Sequence, residues 1–498
     1  MTDVRYPALY QINTRVRLTE LSRALGRRAT LDDIPDADLD RLSESGFDWI
    51  WFLSVWQTGS AAQKVSRANP EWRREFAETL PDLGDEDIAG SGFAIQSYTV
   101  HRGLGGDAAL ARLRERLQKR GLKLMLDFVP NHMAPDHPWL DEHPDYFVPG
   151  SESDLARSPR NYCRVQSKKG SLLLAYGRDP YFDGWPDTLQ LNYGNPQLQQ
   201  AMIGELTRIA GQCDGVRCDM AMLVLPDVFE RTWGIRPDLF WPKATESVRR
   251  KHPGFVFMAE VYWDLEWTMQ QQGFDYAYDK RLYDRLREGH ARPVREHLRA
   301  GLDYQDKLAR FLENHDEPRA AATFARAMHE AAAVVTFLSP GLRFFHQGQF
   351  DGRRKRISPH LVRAPEEPVD AALRAFYQKL LGVLQQPVFF YGLGLIALGS
   401  ALLVGRTLFT LRPGRFWSDA VETQRFGIWL AAIIGAIALG SFVTSWMTQP
   451  LYTGQALYEA VFWGGGHALQ FQHGLLMVVV WFWLASELGH PPRLPPHR

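Results

Sequence analysis

Cysteine is nearly absent from this 498-residue chain: only Cys163, Cys213 and Cys218 occur. An odd and small number excludes a disulfide framework, and the Cys213–Cys218 spacing fits no zinc motif. Buried free thiols are the expected state. Charge of one sign is also missing, since Lys+Arg and Asp+Glu both total 57. That removes any general pull towards nucleic acid. The first residues, MTDVRYPALYQINTRVRLTEL, hold no apolar run of signal-peptide length, so a cytoplasmic catalytic region is expected. The sharpest absence comes later. In LLGVLQQPVFFYGLGLIALGSALLVGR (380–406), no charge appears from Val388 until Arg406.

Before residue 387, short apolar runs alternate with amphipathic helices. The runs predict strands at Ala8–Asn13, Trp49–Leu53, Leu122–Val129, Gly215–Asp219, Val256–Glu260, Tyr276–Tyr278, Leu312–Asn314 and Leu342–Phe345. In GGDAALARLRERLQKRGLK, Leu110, Leu113 and Leu117 share one helix face, Asp107 is the expected cap and Gly121 the stop. A second helix opens at Asn195–Pro196. About eight strand–helix repeats predict an α/β chain of the closed (β/α)8 TIM barrel class. The stretch 133–186, rich in Pro, Gly, Asp and aromatics, reads as an inserted subdomain after the third strand. Such excursions shape binding clefts. The expected domains are therefore a catalytic barrel over 1–386 and a membrane segment over 387–498, with no C-terminal β-sandwich between.

Three uncharged stretches, 388–405, 426–447 and 461–485, approach the roughly 20 residues that cross a bilayer core. They predict about three transmembrane helices and a multi-pass membrane location. Trp429, Trp446, Trp463, Trp481 and Trp483 supply interfacial anchors. Loop charges oppose the cytoplasmic reading of the barrel. Arg406, Arg412, Arg415 and Arg425 fill the first loop, Arg493 and Arg498 lie in the tail, and loop 448–460 has no Lys or Arg. The positive-inside rule then places the barrel outside.

Four motifs end their strands in polar residues: DFVPNH (127–132), GVRCDMAM (215–222), FMAEVYW (257–263) and FLENHDEPR (311–319). One such motif alone reads as an ordinary strand end with solvated charge. All four at the C-terminal mouth of a barrel bring Asp127, Asp219, Glu260 and Asp316 into one cleft with Arg217, His132 and His315. Acids in that setting suit glycoside cleavage. One carboxylate attacks the anomeric carbon while another, protonated, releases the leaving oxygen. An arginine two residues before the nucleophile lies on its strand face and keeps it ionised.

The order DxxxNH, GxRxD, a strand ending in Glu, and NHD resembles the α-amylase family of retaining α-glycoside hydrolases and transglycosidases, from about Tyr6 to Gln386. The resemblance implies Asp219 as nucleophile, Glu260 as general acid/base and Asp316 as the transition-state stabiliser. It places Arg217, His132, His315, Phe93 and Asp127 in or behind the sugar-binding subsite. Phe93, in SGFAIQSY (91–98), stands where the family has tyrosine. WPDTLQLNYGNP (185–196) resembles the approach to the fourth strand, and SPGLRFFHQGQ (339–349) the eighth, with Gln349 where Glu is common. Asn131 matches a calcium ligand of some members, so calcium is allowed but no cofactor is required. Met222 and Leu223 replace a Lys-His pair of many endo-acting amylases, which favours a small α-glucoside or a transfer reaction over endo-cleavage of an α-glucan.

FWGGGHALQFQHGLLMVVVWFWLA (462–485) resembles part of the haem–copper oxidase catalytic subunit, where His467 matches a copper ligand; the family's partner histidines lie on a later helix. His473 matches no ligand position. A join of two unrelated genes near residue 387 would explain both halves. The expected function is α-glucoside hydrolysis or glucosyl transfer. The alternatives are a non-functional remnant and an oxidase-related electron-transfer fragment.

Overall fold

In the computed structural model, residues 6–385, 388–413, 419–448 and 454–489 are described. Eight parallel strands close a barrel: β1 (Ala8–Asn13), β2 (Trp49–Leu53), β3 (Lys123–Phe128), β4 (Gly215–Cys218), β5 (Val256–Ala259), β6 (Tyr276–Tyr278), β7 (Leu308–Arg310) and β8 (Leu342–His346). They lie in chain order, and β1 pairs with both β2 and β8. The sequence WIWFL of β2 is buried throughout, as expected of parallel strands covered on both faces. Neighbouring residues serve opposite sides. Phe344 meets Trp51, Tyr278 and Phe311. Phe345 stacks on Phe337 at 4.0 Å and meets Phe47 and Tyr377. Each such ring, fully buried, contributes about 1.5–3 kcal/mol.

The seventh strand falls four residues earlier than its sequence predicts. Leu308 pairs with Ala277 and Ala309 with Leu342, while Leu312–Asn314 lie beyond the strand. Arg310 hides the signal. It is a charged residue inside a strand, buried because Asp279, Gln305 and the Pro340 carbonyl accept its donors. In the helix Gly106–Gln118, the three leucines are buried as their spacing predicts, but Asp107 is not the cap. Gly105, at φ +102°, holds that position. Asp107 instead accepts from the Val100 amide at 2.7 Å and ties the helix to the strand Ile95–Val100. Asn195 caps the helix Pro196–Ala210 through the Gln197 amide.

The chain leaves the barrel after β3 and returns before Pro196. His132–Met133 pairs antiparallel with Leu189–Gln190 and closes the neck of this excursion. Within it stand the hairpin Tyr162–Ser167/Gly170–Ala175 and two short helices, Trp139–Glu142 and Glu152–Arg157.

Chain contacts divide the molecule into two compact units at Gln385. After that residue the described segments are the helices Val388–Thr410, Ala420–Thr448 and Gly454–Glu487. The Gln472 side-chain amide donates to the Ala431 carbonyl at 3.1 Å, joining the last two. Two stretches among the described residues, not three, are long and apolar enough to cross a membrane: Ala420–Ser445 and Trp463–Glu487. The first expected span is shorter, an apolar helix of Gly394–Thr410 that already includes Arg406. The expected join at Pro387 lies outside the described residues.

Candidate active site

Backbone pairing brings the acids together. The Asp219 amide donates to the Phe128 carbonyl at 2.8 Å, and the Glu260 amide to the Cys218 carbonyl at 3.0 Å. The ladder thus continues one residue past β4 and β5, so both carboxylates emerge at the same level of the mouth. Asn314 bonds the Asp316 and Glu317 amides and turns the segment after β7 towards them.

Arg217 joins the cluster. Its guanidinium is completely buried, which requires paired negative charge. One terminal nitrogen donates to Asp219 Oδ1 at 2.6 Å. The other lies 2.8 Å from Glu260 Oε2, an ion-pair distance but off the hydrogen-bond axis, and 3.9 Å from Asp316 Oδ2. Its Nε donates to the Tyr278 hydroxyl. The Phe93 ring lies 5.2 Å from the guanidinium and stacks on His315 at 5.3 Å. His315 Nδ1 accepts from the Gln11 amide at 2.9 Å, and Nε2 sits 3.0 Å from Asp316 Oδ2. With Gln11 as donor, the imidazole proton faces the Asp316 carboxylate.

The three carboxyls differ in environment. Burial and the negative charges of Asp219 and Asp316 push Glu260 up to about 7, against the pull of Arg217. Burial also raises Asp219, and the Arg217 cation draws it back. Desolvation would raise Asp316 as well, but His315 and Arg217 beside it outweigh that and hold the carboxyl at about 2. Asp316 is the acid that opens to solvent, with 40% of its side chain exposed. One carboxyl is thus poised near neutrality and another is held ionised in the same cluster.

Other expected residues stand further back. Both Asp127 oxygens are used, by the Trp51 indole at 3.1 Å and the Ser54 amide at 2.8 Å, so it supports the cluster from below. His132 packs on Trp185 at 5.3 Å, and burial lowers its imidazole to about 3. Met222 and Leu223 are buried in the short helix Ala221–Val224. Gln349 bonds the Tyr377 hydroxyl. Cavities of 580, 750 and 470 Å³ elsewhere on the barrel have none of the three acids in their walls.

Around Asn131, the oxygens that a calcium ion would use accept from a side-chain amide. The Gln190 side-chain nitrogen donates to Asn131 Oδ1 at 2.9 Å, to the Asn131 carbonyl at 3.0 Å and to the Leu191 carbonyl at 3.2 Å. Gln190 is fully buried. Three oxygens that could surround a cation already converge on one amide. Chelation with EDTA is expected to leave the unfolding midpoint unchanged. Gln190→Ala, which strands all three acceptors, is expected to cost about 3 kcal/mol or more. A midpoint that falls on chelation and recovers with calcium contradicts this. His467 gains no ligand set either. It is exposed and bonds the Trp463 carbonyl of its own helix. Among the described residues no group of three or more His, Cys, Asp or Glu could hold a metal. Nothing in the described residues supports an oxidase-like role for 462–485.

Sequence reading missed Tyr262, Tyr278, Gln11 and the Met220 amide. Tyr262 lies inside the motif FMAEVYW, where the acid is the plainer signal. The Met220 contact has no side-chain signal.

The alpha amylase catalytic domain family matches residues 36–367. The alpha-amylase MalA of Haloarcula japonica is 26% identical over 326 residues, 64% of this chain and 41% of that protein. The alpha-1,4-glucan:maltose-1-phosphate maltosyltransferase of Burkholderia pseudomallei is 26% identical over 296 residues, 55% of this chain and 22% of that protein. The chain thus spans less than half the length of either relative. The crystal structure of an alpha-amylase from Lactobacillus plantarum shares the fold, with a TM-score of 0.54 and 24% identity over 76% of this chain and 80% of that one. With the barrel closed, the acids gathered at its mouth and the family match covering more than half its length, the chain belongs to the alpha-amylase catalytic domain family.

Proposed function

We propose that this chain is a retaining α-glucoside hydrolase or transglycosidase. The observation that carries the reading is Arg217: one buried guanidinium within reach of Asp219, Glu260 and Asp316. Asp219 Oδ1 is committed to that cation, which leaves Oδ2 to attack the anomeric carbon. As that bond forms, the Glu260 proton passes to the glycosidic oxygen and the leaving sugar departs. The resulting ester is broken when Glu260, now a base, takes a proton from water or from an acceptor hydroxyl. Asp316, ionised by its neighbours, faces the positive charge that builds on the sugar ring. Phe93 gives the ring an apolar surface. Water as acceptor gives hydrolysis; a sugar gives transfer. The buried Met222 and Leu223 add no polar group to the cleft and favour a short substrate.

The test is product release from maltose, sucrose, trehalose and soluble starch by the full chain, with Asp219→Asn beside it. Release from at least one substrate, lost in that variant, is expected. A folded protein inert on all of them, and inert with sugar acceptors added, overturns the reading.

The carboxyl-terminal helices support attachment to a lipid bilayer. Trp463, Phe471 and Trp481 are more than half exposed along one apolar helix, a surface suited to lipid. The protein is then expected to stay with membranes through an alkaline carbonate wash; recovery in the wash contradicts attachment.

A further inference from the structure

Glu260 has two oxygens, and the structure treats them differently. Oε2 accepts from the Met220 amide at 2.7 Å and lies 2.8 Å from Arg217. Met220 offers that amide from a left-handed conformation, φ +39° and ψ 45°, directly after Asp219. For a residue with a Cβ this backbone costs about 1–2 kcal/mol, a strain of the kind kept at functional sites. Oε2 is therefore held by one hydrogen bond and one adjacent cation and is a poor seat for a proton. Among the described contacts Oε1 has one partner, the Tyr262 hydroxyl, which donates to it at 2.8 Å.

We infer that Tyr262 is a positioning residue that fixes the transferable proton of Glu260 on Oε1 and aims it at the leaving group. The inference rests on the proposed glycosidase reading. A carboxylate oxygen offers two lone-pair directions. Tyr262 fills one at Oε1, and the proton takes the other. The leaving oxygen of the substrate then lies on the Tyr262 side of Glu260, away from Arg217. The hydroxyl also stabilises the ionised acid, which is the form that must activate the incoming acceptor in the second step. It stays a donor throughout, because burial and the Glu260 charge raise its own ionisation well above the usual tyrosine range.

The groups facing Glu260 are Arg217 on β4, Asp219 directly after it, Asp316 after β7, Tyr278 on β6 and Tyr262 on its own segment. Only Tyr262 touches Oε1 among the described contacts. Removing its hydroxyl takes a hydrogen bond from the ionised form, so the acid should hold its proton to higher pH. Tyr262→Phe is expected to move the alkaline limb of kcat/KM up by about one pH unit, the size of one charge-assisted hydrogen bond. It should also lower kcat more than tenfold on a disaccharide and only a few-fold on a glucosyl fluoride, whose leaving group needs little protonation. Tyr262→His, which keeps a ring and an N–H donor, should restore the limb towards its original place. An unmoved limb, with equal losses on both substrates, overturns the inference and leaves Tyr262 as packing. Glu260→Gln, run in parallel, separates the two levels. If it keeps full activity on the disaccharide, the assignment of the acid itself fails. If it loses that activity while Tyr262→Phe does not change the pH profile, only the tyrosine inference fails.

Discussion

Asp219→Asn is expected to lower turnover by roughly 10⁴–10⁶-fold, the range seen when a covalent nucleophile is removed. The expectation follows from one atom. Asparagine keeps the size of the side chain and an oxygen that can accept from Arg217, now 2.6 Å from Asp219 Oδ1. It replaces the attacking oxygen with an amide nitrogen whose lone pair is tied up in resonance. The fold should survive, because the completely buried Arg217 keeps Glu260 and Asp316 as counter-charges. An unfolding midpoint close to that of the unaltered protein checks this. If Asp219→Asn retained turnover within tenfold, the nucleophile would lie elsewhere.

The second large effect is selective. Glu260→Gln is expected to cost about 10²–10⁴-fold in kcat/KM on substrates with a sugar leaving group. On a glucosyl fluoride the first step should be nearly spared, since fluoride leaves without a full proton. The pH dependence carries the sign. Burial beside Asp219 and Asp316 places Glu260 near 7. Below that value it is protonated and can serve as acid; above it the proton is gone and kcat/KM should fall. The other limb appears at lower pH, as Asp219 takes up a proton and ceases to attack. A bell with its alkaline limb near 7 is therefore expected, and that limb should vanish in Glu260→Gln on the fluoride. An alkaline limb that stays in place in the variant would assign it to another group.

Much of this site is legible in the sequence because polar residues at the ends of parallel strands must converge at one mouth. Asp219, Glu260 and Arg217 follow from that rule. Asp316 follows less directly, because β7 ends at Arg310 and the intervening residues form a turn held by Asn314. A buried charged residue in a strand defeats a hydrophobicity pattern unless its partners, here Asp279 and Gln305, are known. Asp107 illustrates a different loss: a carboxylate in a first helical turn has several amides in reach, and the one it takes belongs to a neighbouring strand. Gln190 sits 59 positions from Asn131, so no local spacing predicts that its amide fills the oxygen cluster there. In the tail, composition marks apolar stretches but not where helices run, and the first stretch yields a helix that carries Arg406. The oxidase-like reading of 462–485 rests on a local pattern whose histidine, among the described contacts, meets only the carbonyl and ring of Trp463 on its own helix.

The most direct test of the proposed chemistry is to trap the glycosyl ester. A 2-deoxy-2-fluoro or 5-fluoro glucosyl fluoride slows the second step more than the first and lets the ester accumulate. The intact protein should gain the mass of one fluorinated glucosyl group, and the labelled peptide should carry it on Asp219. Tyr262→Phe should still form the adduct, and Asp219→Asn should not. No adduct, together with release of the inverted anomer from a natural substrate, would contradict a covalent route; a label on Glu260 or Asp316 would contradict the assignment of the nucleophile.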